Sequence, residues 1–291
     1  MMPVFNANQF RLDVEPLMLS YRHAFHAGNH ADVLKHLVLL ALLQQMRKKD
    51  KPFCCIDTHS GAGWYRLDDD QARKTGEAGT GILPLWDAWR QHGCDNPLLR
   101  DYLELVAASN PVDTGDAPVY YPGSPAIVQS RLRDKDRAHL LELHTTEIDI
   151  LRENMGRDAR VSIHHRDGFE GAVGLVPPEP KRGLLLMDPA YEDKRDYQHA
   201  VKSLLSVNRR WQTGVLVLWY PMLGKTRDRS EWLKSQLSQQ LETHAVEWVV
   251  SEQTEEFGMH GSGMLVVNPP WQFDTVMADA LQALRAMLSK V

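Results

Sequence analysis

The stretch Gly183-Leu184-Leu185-Leu186-Met187-Asp188-Pro189-Ala190-Tyr191 constrains the fold more than any other part of the chain. Unbroken apolar residues over this length read as a strand buried on both faces, the pattern of a parallel sheet. Proline fixes φ and lacks an N–H, so the strand must stop at Pro189 and the turn stiffens. A carboxylate, a backbone carbonyl and an aromatic ring then meet at a strand's carboxyl end, where open α/β sheets bind ligands. Such a set suits a planar, amino-bearing base, with two acceptors for the NH2 group and a ring to stack on it. For Asp-Pro alone an ordinary strand-to-loop turn is an equal explanation, so the rest of the chain has to decide.

A second strand ending in an acid is Phe53-Cys54-Cys55-Ile56-Asp57, followed by a turn containing Gly61 and Gly63. Glycines there permit close backbone approach, as nucleotide-type cofactors require. The G-x-x-x-x-G-K-[ST] loop is absent and G-x-G-x-x-G is not completed, which favours an adenosine cofactor without a phosphate chain over ATP or NAD. His139–His144 is a short strand bearing Glu142, and Val161–Gly168 a third ending in Asp167-Gly168. An acid after the second strand of such a unit can accept hydrogen bonds from both ribose hydroxyls. Strands at Gly214–Trp219, Ala245–Ser251 and Gly263–Asn268 complete the series, with helices at 145–155, 196–210 and 230–243. The fold class is therefore α/β, with a Rossmann-like sheet. Residues 1–17 read as a flexible extension, and 18–291 as one domain with a helical insertion at about 66–118.

Tyr21–Lys49 holds a helix that starts at Asn29 or His30, with Asp32 in its first turn and a broad apolar face. His23, His26 and His30 are three and four apart and His36 follows, a spacing that can hold a metal. No Cys, Glu-x-x-His or matched carboxylate set accompanies them, so no metal is expected. Contacts to a ligand at the helix entrance, or simple capping, are the other readings. Ser124, before Pro125, is either an N-cap or a ligand contact.

Net charge is −5, against a general nucleic-acid-coating role, yet Lys181–Arg229 carries ten Lys/Arg and five acids. A local basic face near Asp188 would suit phosphate contacts. Three cysteines make no disulfide framework, the first residues lack a secretory pattern, and no apolar run reaches a membrane span. A cytoplasmic monomer is expected.

Acids at successive strand ends (Asp57, Glu142, Asp167, Asp188) give the layout of class I S-adenosylmethionine-dependent methyltransferases, and Asp188-Pro189-Ala190-Tyr191 resembles their Asp-Pro-Pro-Tyr motif. More narrowly, the chain resembles the RlmJ family of bacterial 23S rRNA adenine-N6 methyltransferases. The strings MLSYRHAFHAGNHADVLKH, DTHSGAG, YYPGSP, ELH, RDGF, LWYP and SGMLVVNPPW carry the likeness. The N-terminal extension and Ala190 depart from it. The resemblance implies S-adenosyl-L-methionine as cofactor and 23S rRNA as partner. It also implies a cofactor pocket of Lys35, His36, His59, Ser124, Glu142, Asp167 and Gly168, catalytic Asp188, and Tyr21 on the RNA. Residue chemistry agrees for Glu142 (ribose), Asp167 (adenine amino group) and Lys35 (methionine carboxylate). For His36 and His59 the likeness alone assigns the role. Asp188 and the Pro189 carbonyl would accept the two N–H bonds of the target amine, with Tyr191 stacked on its base. A DNA adenine-N6 methyltransferase, or a non-catalytic nucleic-acid-binding or uptake factor, is the alternative.

Overall fold

The computed structural model describes residues 23–110, 117–256 and 258–289. Tyr21 and the expected extension at 1–17 lie outside the described residues. In chain order the first half comprises α1 (His30–Arg47), β1 (Cys54–Asp57), β2 (Trp64–Arg66), α2 (Asp70–Thr75), α3 (Ile82–His92), α4 (Pro97–Ala108), β3 (Tyr120–Pro122) and α5 (Ser124–Arg131). Then follow β4 (Arg137–Glu142), α6 (Thr145–Met155), β5 (Val161–His165), α7 (Gly168–Leu175), β6 (Gly183–Met187) and α8 (Arg195–Arg210). The last elements are β7 (Val215–Leu223), α9 (Ser230–Ser238), β8 (Thr243–Val249), β9 (Met259–Val267) and α10 (Phe273–Leu288).

Seven strands form one sheet in the order β5-β4-β1-β6-β7-β9-β8. The first five are parallel, and β9 runs antiparallel to both β7 and β8. After β1 the chain builds outward through β4 and β5, then returns to place β6 on the other side of β1. The carboxyl ends of β1 and β6 therefore flank a topological switch point, where an open sheet leaves a crevice. Strand β6 is buried at all five positions, as its unbroken apolar run requires.

Helices α1, α3, α4 and α10 share one core cluster on one face, with Leu34, Leu37, Tyr102, Val217 and Met264 among its members. Residues of α7, α8 and α9 pack against the other face, around Leu185, Leu204, Leu216 and Leu233. Helix α1 is capped by Asn29, whose side chain accepts from the Asp32 N–H. Fifteen of its eighteen residues are buried, so it is an interior helix rather than one with a single apolar face. The antiparallel pair β2–β3 closes the segment that holds α2, α3 and α4.

Strand β7 does not stop at Trp219 but continues through Pro221 to Leu223. Its pairing with β6 ends at Leu218, while pairing with β9 goes on, so the missing Pro221 N–H faces an edge that no described strand occupies. For the same reason β9 starts earlier than expected, at Met259. Helix α9 ends at Ser238 rather than 243. No helix of the described residues is long and apolar enough to cross a membrane.

Candidate active site

Above the switch point lies a cavity of about 390 Å³. Its wall includes Lys35, His36, His59, Ser124, Glu142, Asp167, Gly168, Asp188 and Pro189, so nine of the sequence-derived site residues converge here from six elements and their loops. The size falls in the range of small-ligand sites.

The glycine turn after β1 works by leaving backbone groups accessible. Gly61 has φ 57°, in the left-handed region, and its N–H donates to Glu142 Oε2 at 2.8 Å. Glu142 Oε1 accepts from the His144 N–H at 2.7 Å, so two backbone donors orient the carboxylate. Asp167 caps α7 by accepting the Glu170 N–H at 2.8 Å through Oδ1. A side chain at Gly168 would collide with the Thr58 carbonyl, so only glycine lets α7 begin against the β1 turn. Asp57 is sealed beneath the cavity floor and accepts from Ser124 Oγ at 2.6 Å. Ser124 is therefore the first residue of α5 rather than its N-cap, which is Gly123, and it lines the cavity with its hydroxyl donating to Asp57. Burial pushes the Asp57 pKa up to about 6, against the Ser124 hydrogen bond and with the help of the neighbouring Asp188 charge.

Lys35 is the largest departure from expectation. Its Nζ sits 2.6 Å from Asp188 Oδ2 and 2.8 Å from Asp32 Oδ1, in a nearly dry setting. Burial opposes its charge, but the carboxylates of Asp188 and Asp32 outweigh it and raise the lysine pKa. Asp32 is itself held by the Gly28 N–H at 2.8 Å and His23 Nε2 at 2.9 Å. Burial works against the Asp32 charge, yet His23 and Lys35 bring its pKa well below the ordinary carboxylate range. Lys35 thus grips the acid of the Asp-Pro motif instead of waiting for a ligand carboxylate. Asp188 Oδ1 and the Pro189 carbonyl have no donor among the described residues.

His36 is fully buried, with Nδ1 2.9 Å from the Tyr121 hydroxyl, and its Nε2 has no partner among the described residues. Burial drops its pKa to about 3, so the ring is neutral. Burial likewise lowers the pKa of His59, whose Nδ1 lies 2.7 Å from Thr58 Oγ1. The other early histidines disperse: His23 to Asp32, His26 to Glu77 and His30 to Thr80.

Tyr191 is not part of the cavity wall, contrary to expectation. Its φ is 54°, which turns the side chain inward. Its ring stacks on Tyr197 at 4.4 Å, and its hydroxyl donates to the Trp219 carbonyl at 2.8 Å. Aromatic groups on the wall are instead Tyr65, Phe169 and the imidazoles of His23, His36, His59, His144 and His199. Sequence reasoning did not single out Phe169 or Tyr65; the signal available was their place just after the glycines Gly168 and Gly63.

The strand order, with one reversed strand near the edge and acids at four strand ends, defines the class I methyltransferase fold. Over residues 50–291 the chain matches the family described as RsmJ: Ribosomal RNA large subunit methyltransferase D, RlmJ. Relatives in Haemophilus influenzae and Escherichia coli, both named Ribosomal RNA large subunit methyltransferase J, are each 39% identical over 272 residues, which is 93% of this chain and 94% of theirs. A crystal structure of a Legionella pneumophila protein superposes with a TM-score of 0.81 at 32% identity, covering 90% of this chain and 94% of that one. The chain belongs to the RlmJ family of ribosomal RNA large-subunit methyltransferases.

Proposed function

We propose that this protein transfers a methyl group from S-adenosylmethionine to N6 of an adenine in 23S rRNA. The observation that carries the reading is the Asp188–Pro189 pair. One carboxylate oxygen is anchored by Lys35, while the other and the Pro189 carbonyl are left without donors beside the cavity. Two such acceptors take the two N–H bonds of an exocyclic amine. They oppose delocalisation of its lone pair into the ring and stabilise the positive charge that develops on nitrogen. With Lys35 holding Asp188, the acceptors are fixed before substrate arrives, which contributes the positioning that a displacement needs.

The other wall residues fit the cofactor. Glu142 suits the ribose hydroxyls, and the uncommitted Asp167 Oδ2 suits the adenine amino group. Phe169 and Leu143 offer apolar contact to a ring, and the partnerless Nε2 of His36 suits a carboxylate. When bound, S-adenosylmethionine supplies a methyl group on a positively charged sulfur. The relatives' names support ribosomal RNA as substrate, which would place the enzyme in the cytoplasm. The roles of Tyr21 on the RNA and of residues 18–291 as the catalytic domain rest on the family likeness.

Asp188→Ala is expected to abolish methylation of a 23S rRNA transcript while leaving S-adenosylhomocysteine affinity within a few-fold. Labelled-cofactor transfer and calorimetry check both, with duplex DNA as a parallel substrate. Turnover at the wild-type rate in the variant, or preference for DNA, would sink the reading.

A further inference from the structure

The string Asn268-Pro269-Pro270-Trp271 has the form of an amino-methyltransferase motif, yet it lies at the wrong end of the sheet. Because β9 is antiparallel to β7, its carboxyl end sits beside the amino ends of the parallel strands, away from Asp188. The Asn268 side-chain amide donates to the Gln212 and Gly214 carbonyls at 2.8 and 2.9 Å, so it pins the turn and serves no chemistry. Two prolines and two left-handed residues, Asn268 and Gln272, fix the backbone on either side of Trp271. The outcome is an indole 86% exposed on a rigid mount. Tryptophan is ordinarily well buried, and a packing role is excluded at this exposure.

Beside the ring is a cleft lined by Lys48, Lys49, Arg182, Thr213 and Pro270, with no carboxylate side chain among the described residues of its wall. Residues 47–51 at the end of α1 carry four cations and one acid, Asp50. Arg47, Lys48 and Lys49 make no ion pair among the described residues. Arg182 donates to the Met46 and Lys51 carbonyls and makes no ion pair among the described residues. Cations at a helix C-terminus complement its dipole. That accounts for the lysines but not for the displayed ring. A rigid aromatic platform flanked by unpaired cations is the combination that binds single-stranded nucleic acid, with a base on the ring and phosphates on the cations.

We propose that Trp271, Lys48, Lys49 and Arg182 form a second RNA-contact surface, which seats an unpaired segment of the substrate at the far end of α1 from the active site. The proposal rests on the rRNA reading above. Lys35 and Lys48 are thirteen residues apart on or beside α1, so the surface lies roughly 20 Å from the site at 1.5 Å per residue. A hairpin kept shorter than this span would not reach it from the active site, whereas a whole rRNA domain would.

The test measures anisotropy and methyl transfer with a 23S domain transcript and with a minimal hairpin. It compares wild type, Trp271→Ala, Trp271→Phe and Lys48→Ala/Lys49→Ala. For Trp271→Ala the expected result is a roughly tenfold loss of affinity for the domain, none for the hairpin, and recovery in Trp271→Phe. The double lysine variant should flatten the salt dependence of domain binding by one to two in slope, at roughly 0.7–0.9 per phosphate contact. Unchanged domain affinity in Trp271→Ala, or an equal loss on the hairpin, overturns the surface whether or not the enzyme methylates. Tight domain binding that depends on Trp271 without any methylation would leave the surface standing and defeat the rRNA methyltransferase reading instead.

Discussion

His36 reaches the cavity with one ring nitrogen committed and the other free. Its Nδ1 faces the Tyr121 hydroxyl, which in turn faces the Tyr102 hydroxyl at 2.9 Å. All three groups are buried. If protons ran outward from His36, the Tyr102 hydroxyl proton would be left without an acceptor, a cost of about 1–3 kcal/mol. Run the other way, Tyr102 donates to Tyr121, Tyr121 donates to Nδ1, and the hydrogen on Nε2 is the one without an acceptor until a ligand carboxylate takes it. A ligand carboxylate at Nε2 therefore selects the second direction, in which the two tyrosines complete the chain behind the donating ring. Tyr121→Phe should weaken S-adenosylhomocysteine binding about tenfold, since a hydrogen bond to a charged group contributes roughly 1.5–3 kcal/mol and only part of it is lost. Binding of 5′-methylthioadenosine, which has no carboxylate, should not change, and calorimetry with both ligands checks the difference. Nothing in the sequence could show this, because Tyr102 and Tyr121 lie 66 and 85 positions from His36 and join it only through the fold. Tyr191 failed as a cavity residue for a comparable reason: its positive φ is a backbone property that side-chain chemistry does not reveal.

Helix α1 was legible in its start, its cap and its length, but not in its burial. Its partners β9, α4, α5 and α10 are distant in sequence, so a helix enclosed on all sides looks the same as one with a wide apolar face. The enclosure has a chemical consequence. It lets α1 bring the Asp32–Lys35 pair, one turn apart, to the end of β6, where Lys35 meets Asp188. Breaking such a buried set costs about 3–5 kcal/mol because the remaining charge is stranded. Asp32→Ala should therefore lower the melting temperature by about 10 °C, at roughly 2–4 °C per kcal/mol for a chain of this size. It should also reduce kcat, as Lys35 loses half of its hold, while cofactor affinity stays nearly constant. Calorimetric melting together with steady-state kinetics checks the pattern. A fall in cofactor affinity equal to the fall in kcat would instead place Lys35 on the cofactor. Pro221 marks the limit at the level of strands, since its tolerance depended on β6 ending first.

Across the whole molecule, the four acid-bearing strand ends were readable in order, and parallel topology brings Asp57, Glu142, Asp167 and Asp188 to one edge of the sheet. Charge was less readable. Lys181 and Arg182 precede β6, while Arg195 lies on the cavity wall beyond its other end, so the basic segment is divided between two ends of the sheet rather than gathered on one face. The same crevice also sets an acid–base balance in stability. Asp57 has a folded pKa of about 6 against 3.8 in its ordinary state, so the native protein retains a proton that the unfolded chain releases. Stability from this group falls as pH rises from about 4 to 6. His36 has a folded pKa of about 3 against 6.5, so the unfolded chain binds a proton that the native ring refuses. Stability from that group rises with pH over about 3 to 6.5. Between pH 4 and 6 the two nearly cancel. Asp57→Asn removes one side: its stability relative to wild type should climb by on the order of 3 kcal/mol from pH 4 to pH 6, at about 1.4 kcal/mol per pH unit. His36→Asn should show the opposite trend, gaining on wild type as pH falls through the same window. Urea unfolding of the three proteins at pH 4, 5 and 6 measures both slopes. Parallel curves for all three would mean that water enters the crevice and that neither group is held as far from its ordinary pKa as its burial requires.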